Sequence, residues 1–374
     1  MSAQNLHASV LKHFTAVDDP RLDRRKLHQL PDILFITLCG VICGADNWVM
    51  VEQFGKGRQT WFKELLELPN GIPSHDTFGD VFAAIDTEQF SQCFSNWVKD
   101  LTTYSGDAQV IAIDGKTLRR SADKASKKAA VHMVSAWAQS NALVPGQVKV
   151  NDKSNEITAI PRLLKLIDIT NCVVTIDAMG CQSAIAEQII AQGGDYALSL
   201  KGNQGTLHDD VRQWFDSKPA PPTSSEDLDA GHGRIEQRRL RVSDDIAWLV
   251  DRHPHWKGLK SIIAVEAERY IGENVQRETR YFISSLGSDN PKRLAQVIRA
   301  HWAVENSLHW TLDVGFDEDR SRARQGNSAA NLAIVRHVAL NLLKGECSNK
   351  VGIQTKRARA AWDQEYLMKV MASF

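Results

Sequence analysis

The chain lacks an excess of charge of either sign, and this absence removes the simplest indication of a polyanionic partner. Lys plus Arg and Asp plus Glu each number 45, so the formal net charge is zero over 374 residues. Only local basic patches can therefore favour nucleic-acid binding. A hydrophobic content of 43% and a charged content of 24% are ordinary for a globular protein.

Long hydrophobic runs and an N-terminal signal peptide are also missing. The most apolar stretch, Ile33 to Cys43, is too short to cross a bilayer. The six cysteines are scattered, and Cys39 and Cys43 have helical spacing rather than the spacing of a zinc knuckle. We therefore expect reduced, mostly buried thiols, a cytoplasmic location and no membrane contact.

Hydrophobic periodicity divides the chain into a helical part and an α/β part. Residues 1–105 are predicted to form an all-α N-terminal domain of short helices, in which Pro31 opens one helix and Ser74 caps another. Residues 106–374 are predicted to form a mixed sheet flanked by helices. A segment at about 218–290 is predicted to be a β-rich insertion that begins with a loop at Pro219–Asp229.

Three acidic residues occupy positions from which they can converge. Asp114 and Asp177 each end a short apolar run that predicts a strand. Glu305 lies on a predicted helix, Ile298–Asp313, within a polar stripe of four-residue spacing that also holds His301, His309 and Asp313. Two strand-end aspartates and a helix-borne glutamate are the ligand set of a two-metal phosphoryl-transfer site, and this layout is typical of the RNase H-like fold.

Motifs along nearly the whole chain resemble those of the H-repeat-associated insertion-sequence transposases, which belong to the DDE superfamily. The resemblance is carried by the segments Ile111–Ser121, His132–Trp137, Leu200–Gln204, Gly231–Glu236 and His301–Asn306. The helical N-terminal part, including Pro73–Phe78, is similar to the domain that accompanies the catalytic domain in this family, and we expect the segment up to about Leu101 to bind the element's end DNA without the catalytic domain. Together these motifs are specific, although none of them is specific alone.

The resemblance implies that Asp114, Asp177 and Glu305 are the catalytic acids and bind Mg²⁺, for which Mn²⁺ can substitute. It implies metal-dependent cleavage at insertion-sequence ends, followed by attack of the 3′-hydroxyl on target DNA. The implied partners are double-stranded DNA with terminal inverted repeats, target DNA and a second copy of the chain in a homodimeric DNA complex. The implied location is the bacterial cytoplasm, in association with the nucleoid.

Basic and amide side chains close to these motifs supply the local DNA-binding groups that the chain's overall charge does not indicate. They follow the acids, the third motif and the inserted element, and we expect them to contact DNA: Lys116, Arg119, Arg120, Lys201, Asn203, Gln204, Arg234, His301, Arg320, Arg322 and Arg324. A solvated surface is the alternative for the charge runs. An ordinary connecting loop is the alternative for Lys201–Gln204.

The glutamate helix departs from the Tyr-Arg-Glu-Lys signature that the wider superfamily often carries. His301 stands where the arginine is expected and Leu312 where the lysine is expected, whereas Trp302 is kept. We expect His301 to contact the scissile phosphate or a metal-bound water, with a purely orienting or packing role as the alternative. Zinc binding by His301 and His309 is less favoured, and Trp302 and Trp310 are interpreted as core aromatics rather than base-stacking surfaces.

Two other functions are compatible with the sequence. One is a DNA-binding protein that has lost transposition, and the other is an RNase H-like nuclease without strand transfer. Short terminal inverted repeats flanking the coding sequence would favour the transposase over both.

Overall fold

The computed structural model describes residues 12–14, 16–23, 26–101, 109–123, 128–151, 154–217, 224–231, 234–272 and 274–373. Helices form the first and last parts of the described chain, and strands with intervening helices form its middle. Within these residues, no helix combines the length and the apolar character needed to cross a membrane.

Short helices make up the N-terminal part, as the sequence predicts. They are α1 (Leu30–Ile42), α2 (Trp48–Gly57), α3 (Gln59–Leu65), α4 (His75–Ala84) and α5 (Thr87–Leu101). Pro31 lies in the first turn of α1, where its missing N–H costs nothing. The side chains of Asn47 and Ser74 accept hydrogen bonds from the first turns of α2 and α4, which fixes where these helices begin.

The strands of the described chain join into one mixed sheet, which confirms the predicted α/β class. They are β1 (Val110–Thr117), β2 (His132–Ala138), β3 (Leu143–Lys149), β4 (Val173–Ile176), β5 (Asp195–Leu200), β6 (Ser224–Gly231), β7 (Arg234–Ser243), β8 (Ser261–Ile271) and β9 (Asn274–Ser284). Their order is β3-β2-β1-β4-β5-β9-β8-β7-β6. The neighbours β1, β4 and β5 run parallel, and every other pair is antiparallel.

The strands of the predicted insertion extend this sheet instead of forming a separate unit. β9 pairs with β5 from Ala197↔Ser284 to Leu200↔Tyr281, and β8, β7 and β6 follow outward. The prediction of a loop up to Asp229 is wrong, because β6 begins at Ser224. Its polar composition suits an edge strand, where cross-strand ion pairs such as Glu226–Arg239 (2.7 Å) balance the charges.

Further helices cover the sheet and complete the C-terminal part. They are α6 (Glu156–Leu166), α7 (Ser183–Ala191), α8 (Gly205–Ser217), α9 (Ala247–Arg252), α10 (Pro291–Ala303), α11 (Trp310–Phe316), α12 (Ser328–Gly345), α13 (Ile353–Trp362) and α14 (Gln364–Met371). Strand alternation divides the two layers. Ile176 packs with Leu163 of α6 on one face, whereas Val173 packs with Val297 and Ala300 of α10 on the other.

The N-terminal and C-terminal helices share one hydrophobic core. Phe35, Phe82 and Phe94 of the N-terminal part belong to the same buried cluster as Leu340 of α12 and Leu367 of α14. The predicted boundary at 105/106 therefore does not separate two cores within the described residues. How the two parts divide the function stays a prediction.

The predicted helix over Ile298–Asp313 is present, but the turn that carries Glu305 has π-helical and not α-helical geometry. α10 ends at Ala303, a π-helical segment follows at Val304–His309, and α11 begins at Trp310. The backbone N–H of Trp310 donates to the carbonyl oxygen of Glu305, five residues earlier. A π-segment accommodates an additional residue in the turn, and such segments are frequent at functional sites.

Candidate active site

The two aspartates lie side by side at one edge of two parallel strands. β1 and β4 pair up to Ile113↔Ile176, so Asp114 and Asp177 are the next residues on each strand. Asp114 is not the end of β1, because pairing with β2 continues to Thr117. Strand alternation puts both aspartates on the face that carries α10 and the π-segment. The site therefore forms where β4 has ended and β1 still continues.

The loop after β4 holds the carboxylate of Asp177. Its Oδ1 accepts hydrogen bonds from the backbone N–H groups of Met179 (3.0 Å) and Gly180 (3.2 Å). Two hydrogen bonds to one carboxylate oxygen restrict the orientation of the side chain. Asp177 is therefore oriented by its own loop.

The predicted acids influence one another electrostatically. Burial raises the pKa of Asp114 to about 6, and the negative charges of Glu156, Asp177 and Glu305 add to that rise. Glu305 itself is exposed on the π-segment. A carboxyl group whose pKa is raised by burial and by like charges is a frequent feature of functional sites.

The donor set suits an oxygen-preferring divalent cation. Carboxylates from two strands and one helical segment supply hard ligands, and a cation among them would offset their mutual repulsion. In the part of the chain that the structure describes, no three His, Cys, Asp or Glu side chains are close enough together to hold a metal ion as they are placed. The fit therefore rests on the chemistry of the acids and on their electrostatic coupling. Nothing in this arrangement favours the zinc alternative for His301 and His309.

Lys116 connects the strand of Asp114 to the helix that follows Glu305. Its Nζ lies 2.5 Å from Asp313 Oδ1 and 2.9 Å from Glu318 Oε2, and it donates to the backbone carbonyl of His309 at 3.4 Å. Its side chain is only 11% exposed. The sequence suggested a DNA contact for Lys116, but in this structure its ammonium group is directed into the protein.

Two histidines flank the acids. His301 Nδ1 is 3.2 Å from Thr175 Oγ1 on β4, and burial lowers its pKa although the charge of Asp177 raises it. His309 Nδ1 is 3.7 Å from Asp114 Oδ2, and burial lowers its pKa to about 4. Both rings are therefore neutral at physiological pH and lie beside the two strands of the site.

Two arginine runs that are far apart in the sequence meet beside the site. Arg119 Nε is 3.2 Å from Asp319 Oδ2, and Arg324 Nε donates to the backbone carbonyl of Arg120 at 2.9 Å. We call the exposed residues of these two runs the basic surface: Arg119, Arg120, Arg320, Arg322 and Arg324. The structure thus unites in one region the arginines that the sequence places in two.

The remaining predicted DNA-binding residues lie on the β4–β5 side of the site or on β7. Lys201 is exposed directly after β5. Asn203 and Gln204 form a 3₁₀ turn and hydrogen bond to backbone carbonyl groups of the loop after Asp177, at 2.7 and 2.6 Å. Arg234 is the first residue of β7, and its side chain lies outside the described part of the structure.

Sequence reasoning missed an acid–histidine pair next to the first aspartate. Glu156 Oε1 lies 2.6 Å from His132 Nε2, and His132 Nδ1 lies 2.8 Å from Thr117 Oγ1. A Cβ atom on Gly115 would lie only 2.1 Å from Glu156 Oε1, so the glycine makes room for this pair. Both His132–Trp137 and Gly115 fall in the conspicuous motifs, but Glu156 has no such signal because it looks like an ordinary first-turn acid of α6.

The tryptophans of the glutamate segment are not core residues. The core interpretation is wrong, because Trp302 is 45% exposed and Trp310 is 62% exposed. The guanidinium carbon of Arg280 lies 4.7 Å from the centroid of the Trp302 ring, a cation–π contact. Trp302 borders a groove of about 1190 Å³ between α10 and strands β6–β9, which reaches Asn306 and Ser307 next to Glu305.

Comparison with known proteins gives the family of the chain. A family model described as "Transposase DDE domain" matches residues 105–342, and one described as "DDE_Tnp_1-associated" matches residues 11–98. The chain is 42% identical to "H repeat-associated putative transposase YhhI" of Escherichia coli (strain K12) over 370 residues, which cover 97% of each protein. It is also 42% identical to "Putative transposase YncI" of Escherichia coli O157:H7, with 98% of this chain and 95% of that protein covered.

One solved structure shows a weaker similarity. It is a piggyBac transposase in a synaptic complex with hairpin DNA, with a TM-score of 0.46 and 9% identity. The match covers 99% of this chain and 77% of that one. A similarity at this level does not by itself establish a shared fold.

The fold and the family models define a transposase with a DDE catalytic domain and its associated N-terminal part. The 42% identity to these relatives extends over nearly the whole chain, so the chain belongs to the H-repeat-associated transposases.

Proposed function

We propose that this protein is an active DNA transposase that cleaves insertion-sequence ends and joins them to target DNA, with the 3′-hydroxyl attacking a target phosphodiester and displacing the target's 3′-oxygen. The observation that supports it most is that Asp114 and Asp177 follow the paired positions Ile113↔Ile176 of two parallel strands, with the charges of Asp177 and Glu305 acting on Asp114. Three coupled carboxylates on a rigid sheet and a helical segment suit metal-assisted displacement at phosphorus. The relatives' names give the family but not this reaction.

The first five strands support an RNase H-like catalytic core. They follow the order β3-β2-β1-β4-β5, in which β1, β4 and β5 are parallel and β2 and β3 are antiparallel. We assign residues 106–374 to this catalytic part, with β6–β9 as its β-rich extension, and residues 1–105 to an associated part that contacts the element's end. In this assignment, the two aspartates belong to the inner strands β1 and β4 of the five-stranded core.

The chain's own residues would hold Mg²⁺ or Mn²⁺ through Asp114, Asp177 and Glu305. When bound, the metal would activate the attacking oxygen and stabilise the leaving oxygen of the displacement. Asp177 is oriented by its loop amides, and Lys116 ties β1 to the segment behind Glu305. His301 keeps a neutral ring beside Asp177, from which it can donate a hydrogen bond to a phosphate oxygen or a water.

The DNA would contact the basic surface and Lys201, which lie on either side of the acids. These are exposed cations in a chain of zero net charge, so local attraction and not overall charge would hold the phosphates. The aromatic ring of Trp302 and the groove beside it give a second surface next to Glu305. Element ends with terminal inverted repeats, target DNA and a homodimer around the two ends are the partners that this reaction requires. Such a reaction belongs in the bacterial cytoplasm at the nucleoid.

A cleavage and strand-transfer assay on the DNA that flanks the coding sequence tests the proposal. Purified protein with Mg²⁺ should cut at the element's ends and join the new 3′ ends to a target plasmid, and chelation should stop both steps. Cleavage without joining would support an RNase H-like nuclease instead. Specific binding of the ends without either step would support a DNA-binding protein that has lost transposition.

A further inference from the structure

The loop that carries Asp177 is fixed by groups outside it. Residues 177–182 connect β4 to α7 without regular structure, and some of their backbone carbonyl groups accept hydrogen bonds from another segment of the chain. Gln182 Nε2 donates to the carbonyl of Met179 at 3.2 Å from within the loop. The carbonyl oxygen of Ala178 accepts from the Cys181 N–H at 3.4 Å, and the carbonyl oxygens of Ala178 and Cys181 also accept from the turn that follows β5.

That turn supplies two amide side chains in succession. Asn203 Nδ2 donates to the carbonyl of Ala178 at 2.7 Å, and Gln204 Nε2 donates to the carbonyl of Cys181 at 2.6 Å. The two acceptors lie on both sides of Met179 and Gly180, whose N–H groups hold Asp177 Oδ1. The two hydrogen bonds from the side-chain amides thus lie on either side of the part of the loop that orients the carboxylate.

Packing leaves this loop little freedom to adopt another shape. A Cβ atom on Gly180 would lie 2.3 Å from Ile176 Cγ2 and 2.7 Å from Ile160 Cδ1. Cys181 is fully buried next to the same core. Loss of one of these side-chain hydrogen bonds would therefore loosen the hydrogen-bonded side of the loop, while its packed side stays in place.

We propose that Asn203 and Gln204 are positioning residues that hold the Asp177 loop, and that Lys201 alone of this motif faces the DNA. The proposal rests on the function proposed above. Lys201 and Asn203 are both exposed, but the amide N–H₂ groups of Asn203 and Gln204 already donate to protein carbonyls. Partners that orient a metal-binding carboxylate act on metal affinity, and a cation that contacts phosphate acts on DNA affinity.

Amide hydrogen exchange in the metal-free and DNA-free protein tests the positioning directly. In Asn203→Ala, the N–H groups of Met179 and Gly180 should exchange about tenfold faster, because one hydrogen bond of typical strength is lost from the loop. Gln213→Ala, which removes an exposed amide on the neighbouring helix α8, is the matched control and should leave this exchange unchanged. Gln204→Ala should act like Asn203→Ala.

Metal and DNA titrations separate the two roles. Asn203→Ala should raise the Mn²⁺ concentration for half-maximal cleavage by about tenfold or more, with DNA affinity changed less than about twofold. Lys201→Gln should weaken DNA binding, reduce its dependence on salt and leave the Mn²⁺ requirement unchanged.

Unchanged amide exchange in both Asn203→Ala and Gln204→Ala would overturn the proposal. A loss of DNA affinity in Asn203→Ala equal to that of Lys201→Gln, without a change in the Mn²⁺ requirement, would also overturn it in favour of a DNA contact. If the wild-type protein cleaves no DNA, the proposed function fails, but the exchange measurement still decides whether these amides hold the loop.

Discussion

At the scale of single residues, the site depends on which neighbours of Asp114 are charged and which are neutral. Burial and neighbouring acids raise its pKa to about 6, and the adjacent His309 is kept neutral by burial, which lowers its pKa to about 4. Lys116, the nearest cation on the same strand, is directed to Asp313 and Glu318 instead. The acids therefore keep their negative potential, which is the condition for attracting a divalent cation.

His301 gives the first residue-scale prediction. Its Nδ1 contacts Thr175 Oγ1, and the negative charge of Asp177 acts on the ring. His301→Ala should cut DNA about tenfold or more slowly, and His301→Arg should retain more activity because it supplies donors and positive charge. Initial cleavage rates between about pH 6 and pH 9, a range that spans histidine titration, measure this. Wild-type rates in both variants would show that His301 has no part in the chemistry.

His337 gives a prediction on stability and pH. Burial lowers its pKa from 6.5 to about 3, so the folded protein takes up this proton less readily than the unfolded chain. The contribution of neutral His337 to the free energy of unfolding is therefore fully present above the unfolded pKa and decreases as the pH falls below about 6.5. Between about pH 8 and pH 5, the wild type should lose roughly 1–2 kcal/mol more unfolding free energy than His337→Gln. Urea unfolding at both values measures it, and parallel losses in the two proteins would refute this role for His337.

At the scale of elements, most helices and strands follow from local sequence patterns, but the π-segment does not. Capping by Asn47 and Ser74, Pro31 in a first turn and the apolar runs of β1 and β4 are all visible in the chain. A π-turn and an α-turn place apolar residues at similar spacings, so periodicity cannot tell them apart. Strand β6 was missed for a different reason: an edge strand does not need an apolar face.

Removal of the additional residue tests the π-segment. Deletion of Asn306, which is exposed, leaves buried Val304 and Leu308 three residues apart and still on one helix face. The fold should persist, but the segment should close into a regular α-helix, so that the wider turn after Glu305 is lost and its carboxylate is displaced. Cleavage should then fall by about a hundredfold or more, since small misplacements of reacting groups are costly.

Thermal unfolding and cleavage rates of this deletion, with Asn306→Ala as the matched control, give the answer. The substitution should keep both the melting temperature and most of the activity, because the register of the segment is unchanged. A deletion variant that is folded and cleaves like the wild type would mean that the π-segment does not position Glu305.

At the scale of the whole molecule, one core joins the two ends of the chain. Buried Arg357 of α13 donates to the carbonyl of Val41 on α1 and lies 2.7 Å from Asp46, so polar bonds strengthen the apolar packing there. Asn331 of α12 likewise donates to the carbonyls of Phe82 and Ile85 at the end of α4. The N-terminal helices therefore depend on the C-terminal ones, although they lie some 230 or more residues apart in sequence.

This shared core changes what to expect of an isolated N-terminal fragment. The sequence suggested that residues up to about Leu101 bind the element's end alone. The structure predicts that this fragment exposes apolar side chains, Phe35 and Phe82 among them, and lacks a cooperative unfolding transition. Circular dichroism during urea titration measures this. A cooperatively folded fragment that prefers its own terminal DNA over random DNA would contradict the prediction and restore the separate domain.

The sequence made the acids predictable but not the connections around them. Asp114 and Asp177 end apolar runs, and Glu305 lies in a distinctive motif, so chemistry and position coincide in the chain. The direction of a side chain is set by distant partners, which is why Lys116 and Asn203 were expected to face DNA. Glu156 was missed because only the folded sheet brings it next to β1.

The central claim is that Asp114, Asp177 and Glu305 form one metal-dependent catalytic unit. The most direct measurement is single-turnover cleavage of the element's end by Asp114→Asn, Asp177→Asn and Glu305→Gln with Mg²⁺. Each variant should bind the DNA like the wild type but cleave below about a thousandth of its rate, because an amide of the same shape is a poor metal ligand. Wild-type cleavage by any of these folded variants would contradict the assignment of that residue and, for Glu305→Gln, the site as described.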